Sequence, residues 1–265
     1  MANGPLGAAF FVIDPIVTFS SMAIVAVTLP FYIAVIVALI KHRKSSGTNG
    51  FFFRVYMIGG VIDVLALLNN YLGCIFPARG WFLPVYLGSP VLGKIFLVYS
   101  WGSRLCQGCT VILLAVSRTM AISNPMHHER FWVKYSVHSI VFQLLPGAIL
   151  GGSNIFTEIY WDIRDNGGYY PLFRDNAYKW RVFAAGFAIQ SLFCVVIIGN
   201  YAHVFRVFRK RIKLQIAAVR SSEKQRTENM LLYLSISVCA LEVVGFLFSL
   251  YSYGMTLGVG LVSVD

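Results

Sequence analysis

Three ionisable residues stand inside long apolar stretches of this chain, and their types suit an ion pair or a polar ligand: Asp63, Arg104 and Glu242. Two carboxylates and a guanidinium offer charge and hydrogen bonds, but no nucleophile set beside a base. Asp63 lies twelve residues from Phe51, Arg104 fourteen from Arg118, and Glu242 thirteen from Asn229. At about 1.5 Å of rise per helical residue these offsets are roughly 18, 21 and 20 Å, which puts the three in one layer. A lone charge in hydrocarbon costs several kcal/mol, so such residues turn inward and find partners. The expectation is Arg104 held between Asp63 and Glu242, with Asn69, Asn70, Ser103 and Gln107 lining a polar cavity. The same layer would equally serve to lock helix packing, since buried ionic groups are weak indicators of a ligand.

The elements that must position these residues follow from composition. With 57% hydrophobic and 12% charged residues among 265, the chain has too little polar sequence to cover a water-soluble globule. Six apolar blocks are each long enough to cross a bilayer: Ile16 to Ile40, Phe51 to Phe76, Ile95 to Ile122, Val137 to Phe156, Val182 to Phe205 and Met230 to Tyr253. The expected fold is all-α, a polytopic transmembrane helix bundle forming a single domain over residues 1–265. The basic residues Lys41, Arg43, Lys44, Arg54, Arg118, Arg130, Lys134 and the eight from Arg206 to Arg226 fall on one side, against six on the other. By the positive-inside rule the first side is cytoplasmic and the N-terminus is outside. Net charge of +11 thus reads as orientation and not as a nucleic-acid surface. Gly254 to Asp265 is too short for another crossing. The first fifteen residues lack Lys and Arg, so no cleaved signal peptide is expected.

Five cysteines, four of them inside apolar blocks, suggest packing and no disulfide framework; Cys106 and Cys109 read as one helix face, not a metal site. His127 and His128 read as residues of a solvated loop, without the further ligands a metal needs. No cofactor is implied. In the segment Arg206 to Asn229, Phe208, Ile212, Ile216 and Val219 recur at helical spacing among basic residues that include Arg209, Lys210 and Arg211. The fifth span is expected to continue there as an amphipathic helix suited to anionic membrane lipid or a protein partner. On the other side, Asp165-Asn166-Gly167-Gly168 is a turn signal flanked by Trp161, Tyr169, Tyr170, Phe173, Tyr178 and Trp180. A short hairpin over the helix mouths is expected, serving as a lid or as an aromatic interface anchor.

Ser117-Arg118-Thr119 closes the third span, followed by Ser123-Asn124-Pro125-Met126-His127-His128-Glu129-Arg130-Phe131-Trp132, with Pro125 ending the helix. This run resembles the Asn-Arg-Phe-Thr-x-Ile-x-x-Pro-x-x-His-x-x-x-Trp pattern of nematode serpentine chemoreceptors of class gamma and the related class v. Phe51 to Tyr56, Gly60 to Asp63, Asn69-Asn70-Tyr71 and Pro77 to Trp81 are similar to the second span and first outer loop of the same receptors. The resemblance implies a rhodopsin-like G-protein-coupled receptor architecture, of which six spans stand in this chain and the seventh is missing. It implies a chemosensory receptor in the plasma membrane of sensory cilia. A small-molecule ligand would bind among the outer helix halves, at Asp63, Asn69, Asn70, Arg104, Gln107 and Glu242. A heterotrimeric G protein would dock on the inner loops, at Arg118, Arg130, Arg209, Lys210 and Arg211. Ser117 stands where many rhodopsin-like receptors carry an acidic residue beside the Arg; span six has no Trp-x-Pro, and the loop after span four has no cysteine.

The alternative from another class is a proton- or ion-coupled transporter using Asp63, Arg104 and Glu242 as a relay. Against it, no internal repeat relates the first three spans to the last three. No filter-like Thr-Val-Gly-Tyr-Gly supports a channel, and no surface cluster of nucleophile, base and metal ligands supports an enzyme.

Overall fold

A computed structural model of the protein describes residues 51–163 and 168–216, together with parts of 19–41. The sixth expected span and its Glu242, the turn residues Asp165 to Gly167, and Val219 fall outside the described residues. The chain divides into a unit Met1–Asn49 and a unit Gly50–Asp265. In the first, an apolar helix α1 runs over Val25–Ala38.

In the second, α2 (Phe51–Asn70) continues through a π-helical turn, Tyr71–Ile75, into the short α3 (Phe76–Ala78). Next come α4 (Leu83–Leu87), the long α5 (Pro90–Ser123), α6 (Pro125–Lys134) and α7 (Ser136–Ser153). Strands β1 (Ile159–Ile163) and β2 (Tyr169–Phe173) precede the 41-residue α8 (Asn176–Ile216). The stretches Phe53–Ala78, Ser136–Phe156 and Asn176–Val207 are long and apolar enough to cross a membrane. At 34 residues, α5 reaches about 51 Å, also enough to cross. It packs against α2, α7 and α8, so protein covers the faces where it carries the buried polar residues Ser103, Thr110 and Ser117.

Glycine is what lets α5 sit so close to its neighbours. In α7, Gly147-Ala148-Ile149-Leu150-Gly151 is a small-residue motif whose glycines lie against Gly102 of α5. A Cβ on Gly147 would overlap the Gly102 carbonyl oxygen and the Cys106 sulfur, and one on Gly151 would stand 2.6 Å from the Val98 carbonyl oxygen. The two carbonyl oxygens are backbone atoms of a helix and cannot swing aside as a flexible side chain can. The α8 contacts work the other way round, glycine receiving an aromatic ring: Gly108 faces Phe193, and a Cβ on Gly186 would stand 2.5 Å from the edge of Trp101. On the α2 side, Gly73 in the π-turn accepts Phe96, and a Cβ on Gly59 would stand 2.9 Å from the Thr110 methyl.

Between these contacts two apolar clusters form, Val55 with Leu113 and Trp132, and Leu105 with Cys109 and Phe193. Pro77 has no backbone N–H to offer the Leu72 carbonyl five residues before it in the π-turn, and the Tyr86 hydroxyl of α4 donates to that carbonyl. The connection from α3 to α4 needs left-handed backbone at Gly80 (φ 69°), which glycine adopts freely, and again at Phe82 (φ 56°), where a side chain makes it costly.

Two boundaries differ from the sequence expectation. The fifth helix starts at Asn176, not Val182, so Tyr178 and Trp180 belong to α8 and not to the hairpin. Residues 125–134, expected as a loop beyond the end of the third span, form the helix α6. Asn124 breaks α5, and Pro125, which cannot donate a backbone N–H, sits where the first turn of a new helix needs no donor.

The glycine contacts yield a first prediction. Gly147→Leu lowers stability by about 1–3 kcal/mol or more through overpacking against backbone, whereas Gly152→Ala and Gly199→Ala, where an added Cβ meets nothing within 4 Å, are neutral or slightly stabilising. Thermal melts of the purified variants in one detergent distinguish the two outcomes.

Candidate functional site

The polar residues of the middle layer meet along the seam between α2 and α5. Gln107 donates from Nε2 to Asp63 Oδ1 at 2.7 Å, a short charge-assisted bond. Two turns further along α2, the Asn69 amide donates to the Phe96 carbonyl oxygen at 3.2 Å and to the Ser100 hydroxyl at 3.1 Å. Between them the Tyr99 hydroxyl lies 3.4 Å from the Ile62 carbonyl oxygen, and Ser103, itself buried, points back to the Ser100 carbonyl at 3.5 Å. Ser100, Ser103 and Gln107 share a face because helical neighbours recur at three and four residues.

Gln107, expected to help line the cavity, thus bonds Asp63 directly. Arg104, one residue after Ser103, is exposed, as is Asn70, one residue beyond Asn69. Glu242 lies outside the described residues.

Below this layer is a buried polar node that sequence reading missed. Gln143 of α7 is fully buried and donates to the Val55 carbonyl oxygen at 3.2 Å and to Thr110 Oγ1 at 2.8 Å. The Thr110 hydroxyl in turn donates to the Cys106 carbonyl at 2.7 Å. One glutamine therefore ties α2, α5 and α7 together, leaving its own Oε1 buried without a partner. A lone amide in an apolar span was the available signal, since such side chains bond across helices.

At the far end of α5, the Arg118 guanidinium donates to the Tyr56 hydroxyl of α2 at 3.3 Å, and Thr119 donates to Asn200 of α8 at 3.4 Å. Arg54 reaches Ser136 at the start of α7 at 3.0 Å. Ser117, fully buried, lies 3.0 Å from Nε2 of His128. This corrects the reading of His128 as a solvated loop residue: it sits on α6, half-buried, with Trp132 one turn later buried against Val55 and Leu113. The Ser117 hydroxyl and His128 Nε2 share one hydrogen bond, whose donor depends on which ring nitrogen carries the proton. Arg130 and Lys134 are exposed on α6. Arg209, Lys210 and Arg211 fall within α8, whose helical backbone carries on to Ile216.

The opposite end is covered by the hairpin. β1 and β2 pair antiparallel with Ile159 opposite Phe173 and Ile163 opposite Tyr169. Trp161 stacks edge-on against Tyr86 at 5.4 Å, and with Pro171 closes over Gly93 at the start of α5. Tyr178 rests against Phe173 and places its hydroxyl 3.2 Å from Ser153 and 3.1 Å from Asn154 at the end of α7.

Helices of crossing length that alternate in direction, with buried polar residues between them, define an integral, multi-pass membrane protein. The family model described as serpentine type 7TM GPCR chemoreceptor Srv matches residues 21–259. The chain belongs to this family of serpentine chemoreceptors, a receptor family and not an enzyme family. It is also 26% identical over 168 residues to serpentine receptor class gamma-16 of Caenorhabditis elegans, a stretch covering 60% of this chain and 49% of that receptor. The chain thus spans about half the length of the curated relative it matches. This membership does not favour the transporter reading.

The Asp63 and Gln107 pair yields a second prediction. In a double-mutant cycle, Asp63→Asn and Gln107→Leu couple by about 0.6–2 kcal/mol in thermal stability, the range of interhelical hydrogen bonds in membranes. Strictly additive effects would show that the 2.7 Å contact contributes nothing.

Proposed function

We propose that this chain is a chemosensory G-protein-coupled receptor of the plasma membrane, N-terminus outside, that binds a small-molecule cue in the outer half of its bundle. The observation that carries this reading is a single helix, α5, that presents Ser100, Ser103 and Gln107 to the polar layer and Ser117, Arg118 and Thr119 to the far end. A ligand competing for the Asp63, Gln107, Asn69 and Ser100 hydrogen bonds changes how α2 and α5 pack. Such a change moves α5 against α2 and α8, to which Arg118 and Thr119 are bonded.

Basic residues at that end, among them Arg54, Arg118, Arg130 and Lys134, support its cytoplasmic placement. A heterotrimeric G protein would engage Arg118, Arg130 and the α8 extension carrying Arg209, Lys210 and Arg211. The hairpin β1–β2, at the opposite end, would face the exterior and border the ligand's route. Ligand binding acts here by shifting a population between two packings, with no covalent step. Arg104 and Glu242 are proposed to complete the ligand-facing layer with Asn70.

The test is ligand-dependent nucleotide exchange on a purified heterotrimeric G protein by the reconstituted chain, using mixtures of small-molecule cues. Asp63→Asn and Asn69→Ala are expected to weaken the response tenfold or more at unchanged expression, and Arg118→Ala to abolish exchange while ligand binding persists. Cue-dependent flux of a solute across the same vesicles, with no exchange on the G protein, would overturn the receptor reading.

A further inference from the structure

The helix α6 carries a stripe of which the ligand and G-protein reading uses Arg130 alone. His127, Arg130, Phe131 and Lys134 recur at spacings of three, one and three, and so share one face of the helix; all four are exposed. The adjoining face, with His128 and Trp132, is taken up by α5: Ser117 holds the histidine at 3.0 Å and Trp132 is 5% exposed among Val55 and Leu113. The stripe is therefore fixed in orientation by two anchors on one helix.

Its surroundings say what it meets. Val133 on α6 and Val137 at the start of α7, each 68% exposed, begin a row that continues through Val141, Leu145 and Ile149 along the outside of α7. An exposed apolar row of that length on a crossing helix is its lipid-facing side. Where this row ends, Arg130 and Lys134 stand one residue from Phe131 and Val133, at the level where hydrocarbon gives way to headgroups. The Lys134 ammonium lies 5.5 Å from the Tyr135 ring centre, against the aromatic that borders the same row.

We infer that α6 is an interfacial helix that binds anionic phospholipid headgroups through Arg130 and Lys134, with Val133 entering the acyl boundary. Cations beside exposed apolar side chains match a phosphate above hydrocarbon, and each such cation near a membrane surface strengthens binding several-fold. Because His128 and Trp132 tie α6 to α5 beside Arg118, lipid held on this helix steadies the end of the bundle proposed to meet the G protein. The inference rests on the cytoplasmic placement of that end for its leaflet, but lipid binding itself is measured without ligand or G protein, so either reading can fail alone.

The experiment reconstitutes the full chain and measures the preference of spin-labelled phosphatidylserine over phosphatidylcholine for its surface. Arg130→Gln with Lys134→Gln is expected to reduce that preference at least threefold, and high salt to remove it. Arg130→Lys with Lys134→Arg retains it, which separates lost charge from lost folding. The charge-matched control at the other end, Arg174→Gln with Arg181→Gln, leaves it unchanged. An unaltered preference in the first variant, or an equal loss in the control, overturns the inference. So does unaltered lipid preference combined with lost nucleotide exchange in pure phosphatidylcholine vesicles, which assigns the stripe to a protein partner.

Discussion

Everything in the described bundle depends on how closely α5 approaches α7. Lipid tails are as apolar as leucine, so burying apolar surface does not by itself hold two helices together in a membrane. What remains is contact between backbones and the hydrogen bonds that contact permits. Gly102, Gly147 and Gly151 let the two helices touch, with the Gly151 Cα lying 3.6 Å from where a Cβ on Gly102 would stand. That spacing brings Gln143 within 2.8 Å of Thr110, and through Val55 it draws α2 onto the same node. Asp63 and Gln107, and then Arg118 and Tyr56, are neighbours because α2 is held there.

Much of this was legible in the sequence, and for physical reasons. A membrane span must satisfy its backbone internally and be apolar over its length, so helices announce themselves by composition alone. The Asp165-Asn166-Gly167-Gly168 signal between aromatic flanks marked the hairpin for the same kind of reason, a turn that few other residues adopt. Partner choice was less legible. Depth counting put Asp63 and Arg104 in one layer, but depth says nothing of rotation about the helix axis, so it did not single out the Gln107 bond to Asp63. His128 was misread because Pro125 was taken as the end of helical structure when it is equally the start of the next helix. The four-residue spacing of Gly147 and Gly151 was visible as a pairing motif; treating each glycine singly hid it.

The two polar regions on α5 differ in kind. The middle layer includes a carboxylate held by a neutral amide, a bond that another polar molecule can compete for. The far end is a set of single bonds from α5 to three different elements, Tyr56 on α2, His128 on α6 and Asn200 on α8. No one of them is strong, and together they respond to a small rotation of α5. The contact of Ser117 with His128 stands beside Arg118 at this end.

The most direct measurement of the central claim is cross-linking across the α5 and α7 seam in intact membranes. With native cysteines replaced, Gly102→Cys and Gly151→Cys are paired, a protease site is placed within residues 125–134, and oxidation is followed by cleavage. Helices in contact at these positions keep the two fragments joined until reduction, as the distance limits of a disulfide require. Fragments that separate without reductant, or that join equally well when Gly152→Cys replaces Gly151→Cys, would contradict the packing on which the whole account is built.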